Sequence, residues 1–260
     1  MNKTRQLVGI LGGMGPQAGV DMAEKLIAAT RADQDQDHLP FVLFSYPGTV
    51  PDRTAFLLGH TDVNPAFAIT DQLEKMAALG VTIAVIACNT AHAGPIFEII
   101  LGQLQDKRID LRLLHLVDET VNHIRTHLPS ARRIGVLGTI GAYQCGLYDR
   151  VLENTGLEVV LPNDKVREEM VQAAIYAPGF GIKACAGKVS DEARRRIHMA
   201  IGHLYELGAE AVILGCTELP LAMDGNRFDG LPILDPARIM AAKLIQEVCP
   251  ERAMPVFSQA

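Results

Sequence analysis

The chain has no stretch near the roughly 18 consecutive apolar residues that a membrane helix requires, no low-complexity segment and no block of like charge. Its 24 lysines and arginines are scattered among 30 acidic residues, for a formal net charge of −6. That excludes the basic footprint by which proteins hold nucleic acid or an anionic membrane. The five cysteines, at positions 88, 145, 185, 216 and 249, include no C-x-x-C pair, and the eight histidines include no H-E-x-x-H. A disulfide framework and a metal centre both lack their usual spacing. The opening MNKTRQLVGILGG holds an apolar run of only about five residues, too short for the core of a secretory signal. We therefore expect an unprocessed cytoplasmic protein that acts on a small molecule, with neither nucleic acid nor membrane as partner.

What is present is an alternation of strand-length apolar runs with helix-period segments, the pattern of parallel β/α units. The runs are LVGIL (7–11), FVLFSY (41–46), TIAVIAC (82–88), RIGVLG (133–138), LEVVL (157–161) and AEAVILGC (209–216). Between them lie amphipathic stretches such as DQLEKMAALG, with Leu73, Met76 and Leu79 on one face and Gly80 as a stop.

Two of these units occur twice. The stretch from Gly9 to Gly15 aligns with that from Gly135 to Gly141, and MAALGVTIAVIAC (76–88) aligns with LYELGAEAVILGC (204–216). The offsets, 126 and 128 residues, nearly agree, and they place Cys88 on Cys216. Any one match between buried strands is unremarkable, but two in the same order at nearly one offset point to a duplication. The expected fold is α/β, with two pseudosymmetric domains, each a short parallel sheet flanked by helices. The first spans 1–107 with 225–260 returning to it through a helix from Pro236 to Val248, and the second spans 108–224. In open parallel sheets ligands gather at the carboxyl ends of strands, so the active site is expected in the interdomain cleft, with Cys88 and Cys216 facing each other.

A thiolate is the reactive form of cysteine. Asn89, Thr90 and Thr217, which follow the two cysteines, are capping types whose side chains could also hold a carboxylate. Three uses of paired thiols compete: a disulfide, a metal site, and general acid/base work in which one sulfur removes a proton from carbon and the other returns one on the opposite face. Inverting a stereocentre needs that two-sided arrangement.

The motifs GILGGMGP (9–16), PDRTA (51–55), ACNTAH (87–92), GVLGT (135–139) and GCTELP (215–220), in this order, resemble the aspartate/glutamate racemase family, and within it the aspartate racemase branch. The resemblance implies a cofactor-independent amino-acid racemase, usually a homodimer, with its site between two pseudosymmetric domains. It makes Cys88 and Cys216 the acid/base pair and puts Gly13, Met14, Asn89, Thr90, Thr139 and Thr217 at the substrate. Arg53 and Lys183 become the cations for its carboxylates, although Arg53 beside Asp52 also fits a solvated loop ion pair. Glutamate racemases carry a histidine where this chain has Glu218, which favours the aspartate branch and makes Glu218 a candidate proton helper. His92, four residues after Cys88, is a second candidate, or else a histidine hydrogen-bonded to a loop.

One rival reading comes from Gly13-Met-Gly15-Pro-Gln-Ala18, which satisfies the dinucleotide fingerprint of an NAD-dependent oxidoreductase. That fingerprint expects an acidic residue near the end of the second strand, where Ser45 and Tyr46 stand. A decarboxylase or isomerase of the same racemase superfamily is the other alternative, since fold alone does not fix the reaction.

Overall fold

Two separate sheets carry the chain in the computed structural model, which describes residues 6–185 and 188–254. Strands β1 (Leu7–Leu11), β2 (Phe41–Phe44), β3 (Val81–Ile86) and β4 (Arg112–Leu114) form a wholly parallel sheet in the order β2-β1-β3-β4. Strands β5 (Arg133–Leu137), β6 (Glu158–Val160), β7 (Ala211–Leu214), β8 (Arg227–Phe228) and β9 (Leu231–Leu234) form the second in the order β6-β5-β7-β9-β8, in which only β8 runs antiparallel. With β8 set aside the two orders coincide, β5, β6, β7 and β9 standing in the places of β1, β2, β3 and β4.

Helices α1 (Pro16–Ala28), α2 (Arg53–Leu57), α3 (Ala66–Ala78), α4 (Gly94–Asp106) and α5 (Leu116–His127) accompany the first sheet in sequence. Helices α6 (Ile140–Gln144), α7 (Asp149–Glu153), α8 (Ala173–Tyr176), α9 (Asp191–Glu206) and α10 (Pro236–Val248) accompany the second, with a π-helical stretch, Val166–Gln172, leading into α8. Leu73 and Met76 are buried on α3, whereas Leu79 caps the helix and is 59% exposed.

The duplicated glycines do the same work in both halves. A Cβ on Gly9 would sit 2.5 Å from the Met76 side chain and 2.7 Å from Val81; one on Gly135 would sit 2.9 Å from Leu204 and 3.2 Å from Ala209. Leu204 and Ala209 are the equivalents of Met76 and Val81, so a helix and a strand start press on a bare backbone at the same point in each half. Gly80 and Gly208 end α3 and α9 with φ of +91° and +84°, the left-handed region that glycine enters without penalty.

The sheets do not divide where the sequence pattern suggested. Strand β4 lies beyond residue 107 yet pairs with β3, and β8 and β9 lie beyond 225 yet extend the second sheet. These strands are two to four residues long and carry Arg112, Arg227 or Pro232, so they lack the apolar run of a buried strand. The helices that follow them cross over. Met240, Leu244 and Ile245 of α10 join the core of Val8, Ile10 and Met22, while Val117, Val121 and Ile124 of α5 join that of Ile134, Val136 and Ile213. Each half thus gives its last helix to the other, and α5 packs on α10. Among the described residues, no helix is long and apolar enough to cross a membrane.

Candidate active site

Strands β3 and β7 end at Ile86 and Leu214, and each is followed two residues later by a buried free cysteine, Cys88 or Cys216. After each cysteine loop comes a 3-10 turn, Asn89–His92 or Leu219–Ala222, rather than the α-helix expected. The two loops touch directly: the Thr217 hydroxyl donates to the Ala87 carbonyl at 3.4 Å.

Both thiols line one tight void of about 10 Å³, along with Met14, Arg53, Asn89, Thr90, Thr139, Lys183, Thr217 and Glu218. Gly13 lies outside it, on a larger vestibule of about 300 Å³ that also touches Met14, Arg53, Lys183 and Glu218. His92 lines neither. Its Nδ1 lies 2.9 Å from the Cys88 carbonyl oxygen, and its ring stacks on Phe97 and meets His115 edge-on. Full burial, aided by the neighbouring His115, pushes its pKa down to about 3, so it is a neutral structural histidine at physiological pH.

Arg53 begins α2 because Asp52 caps that helix, accepting from the Ala55 amide at 2.7 Å. Asp52 is therefore a cap, and no loop ion pair forms with the adjacent guanidinium, which turns inward. It donates to the Met14 carbonyl at 2.6 Å and the Pro51 carbonyl at 3.2 Å, leaving its buried Nε without a partner. Burial alone would lower its pKa; the facing Cys88 sulfur and Asp52 outweigh burial and raise it.

Lys183 donates to the same Met14 carbonyl at 3.0 Å, forms an ion pair with Glu218, and stands 5.8 Å over the Tyr176 ring. Burial works against its charge, but Glu218 and Cys216 raise its pKa. Glu218 is 3% exposed; one oxygen takes Lys183 and the Gly15 amide (3.3 Å), the other accepts from the Cys216 thiol at 3.1 Å. Burial, and then the Glu218 charge, push the Cys216 thiol well above the usual cysteine value, only partly opposed by Lys183. Cys216 is accordingly held as the neutral thiol.

On the opposite wall, Tyr148 donates to the Asn89 side-chain oxygen at 2.5 Å, leaving the buried Asn89 nitrogen with an unspent donor. Thr90 and Thr139 face each other at 3.4 Å, and Thr139 caps α6 by accepting from the Ala142 amide. The sequence reading missed Thr54 and Tyr176, which also line the void, and Tyr148, which holds Asn89. Thr54 was within reach as the neighbour of Arg53. Tyr176 sits at the end of a four-residue helix behind an irregular π turn, where periodicity carries no signal.

The same geometry bears on the dinucleotide reading. The Gly15 amide at the start of α1, where a pyrophosphate would sit, already faces the Glu218 carboxylate, and β2 runs out into Ser45 and Tyr46.

Residues 11–244 match the family model described as Asp/Glu/Hydantoin racemase. The chain is 26% identical over 245 residues to the broad specificity amino-acid racemase RacX of Bacillus subtilis, covering 92% of this chain and 96% of that one. It is similar to the solved aspartate racemase of Picrophilus torridus, with a TM-score of 0.78, 25% identity and 96% of each chain covered. It shares its fold with the glutamate racemase isoform RacE1 of Bacillus anthracis, with a TM-score of 0.61, 17% identity and coverage of 95% and 82%.

Proposed function

The chain belongs to the Asp/Glu/hydantoin racemase family, and on that premise we propose that it racemises aspartate without a cofactor, using Cys88 and Cys216 as a two-sided acid/base pair. The observation that carries this reading is that two thiols from equivalent strand ends of a duplicated chain open on one void flanked by two cations. In this reading the thiolate of Cys88 removes the α-proton, the freed electron pair spreads into the α-carboxylate, and the Cys216 thiol gives a proton to the opposite face. Cys88 ends as thiol and Cys216 as thiolate, which readies the pair for the other enantiomer.

The unequal surroundings of the two sulfurs support that division of roles. Cys216 keeps its proton through burial and Glu218, while the Arg53 guanidinium faces Cys88. The unpartnered Arg53 Nε and Asn89 nitrogen offer fixed donors to a carboxylate that gains charge as the proton leaves, the kind of preorganised stabilisation that counts most in a transition state. Glu218, on the Cys216 sulfur, is the proton helper of this reading; His92 is too far removed in function to serve. Aspartate as substrate is supported by the two cations and by the likeness to the Picrophilus torridus enzyme. We further read the protein as a homodimer, in keeping with the exposed Tyr46, Val63 and Phe67; sedimentation at twice the 28.2 kDa chain mass would bear this out.

Circular dichroism of L-aspartate incubated with the purified chain and no added cofactor tests the activity. Decay of the signal to zero without release of carbon dioxide is expected. An unchanged signal for both aspartate and both glutamate enantiomers would reject racemisation, and carbon dioxide release would favour a decarboxylase.

A further inference from the structure

The Glu218 carboxylate occupies a complete anion site. Lys183 pairs with it, the Gly15 amide and the Cys216 thiol donate to it, and Lys183 is tied down again by the Met14 carbonyl. These donors lie where the inner void meets the vestibule, since Met14, Lys183 and Glu218 line both. The buried donors left unspent around the void, Arg53 Nε and the Asn89 nitrogen, suffice for one carboxylate. An amino acid with an uncharged side chain leaves the Lys183–Glu218 pair in place, whereas the second carboxylate of aspartate must draw Lys183 away from Glu218.

We propose that Glu218 is an internal competitor for the side-chain carboxylate of the substrate, so that this residue sets specificity by pre-occupying Lys183 and opens the site to amino acids with uncharged side chains. The inference rests on the racemase reading of the site. It makes L-asparagine, which matches aspartate in shape but not in charge, a substrate of the native protein, and it makes the balance between the two a property of one carboxylate. The Gly15 position supplies a second handle, because a Cβ there would stand 2.9 Å from the Glu218 carboxylate and 3.4 Å from the Lys183 ammonium.

The test compares kcat/KM for L-aspartate and L-asparagine in the full-length protein and in Glu218→Gln. Loss of the contact to Cys216 affects both substrates through the same thiols and cancels in the ratio. The aspartate-to-asparagine ratio is expected to rise roughly tenfold, the effect of one nearby charge at a part-buried site. Gly15→Ala, which keeps every charge but crowds the pair, should move the ratio the same way by less. A ratio that stays constant or falls in Glu218→Gln overturns the proposal. Calorimetric titration with the same two ligands separates this from failure of the racemase reading: a ratio of affinities that shifts without any racemisation upholds the role of Glu218 and rejects the activity. Absence of heat from both ligands with both proteins overturns the two together.

Discussion

Cys88 and Cys216 are equivalent in sequence but not in surroundings: Glu218 sits on one sulfur and Arg53 faces the other. Replacing either by serine should lower kcat for racemisation by roughly a hundred- to ten-thousand-fold, the usual contribution of a positioned acid or base, with melting temperature little changed. Loss of activity in only one of the two variants would argue against a pair. His92 makes a separate prediction about stability. Its pKa falls from about 6.5 unfolded to about 3 folded, so between those values the unfolded chain binds more protons. Its contribution is full above pH 6.5 and is lost as the pH drops toward 3. Thermal melts should show stability falling through that window, with a shallower slope in His92→Gln; an equal slope would contradict the assignment. Residue-level legibility was uneven for a physical reason. Paired motifs exposed the thiols, but whether Asp52 pairs with Arg53 or caps α2, and whether His92 faces the cleft or the core, depends on rotations that no spacing encodes.

At the scale of elements, the longer strands and the helix Pro236–Val248 fall where the apolar pattern predicts them, because a strand buried on both faces must be apolar throughout. Strands β4, β8 and β9 escaped because each has its apolar run cut by Arg112 or Arg227 at its start or by Pro232 within it, and holds its place by pairing. Glycines 9 and 135 define the tightest helix–strand contacts, and alanine at either should cost about 1–3 kcal/mol by overpacking. Chemical denaturation of the two variants checks this. If the duplication is structural as well as sequential, both should be destabilised; an unaffected Gly135→Ala would break the equivalence.

For the whole molecule, the exchange of α5 and α10 between the cores ties the halves into one body. An ion-pair cluster strengthens the tie. Lys25 on α1 pairs with Asp21 and reaches Asp235 at 2.6 Å, and Asp235 also caps α10 through the Ala237 and Arg238 amides. Burial raises the Asp21 pKa in spite of Lys25, so the lysine offsets a carboxylate held under duress. Lys25→Met should lower stability by about 3–5 kcal/mol, through the buried Asp21 carboxylate left without its cation. Scanning calorimetry would show this as a single transition moved to lower temperature, with the deficit shrinking as the pH falls and Asp21 protonates. Two resolved transitions would show that the halves fold independently.

The two-thiol proposal meets its most direct test in the reaction of L-aspartate in D2O, with deuterium followed separately in the L and D enantiomers at early times. Proton removal by one thiol and delivery by the other predicts deuterium at the α-carbon of the D-aspartate formed, while the remaining L-aspartate stays protiated. Early deuterium in the remaining L-aspartate, ahead of any D-aspartate, would contradict it.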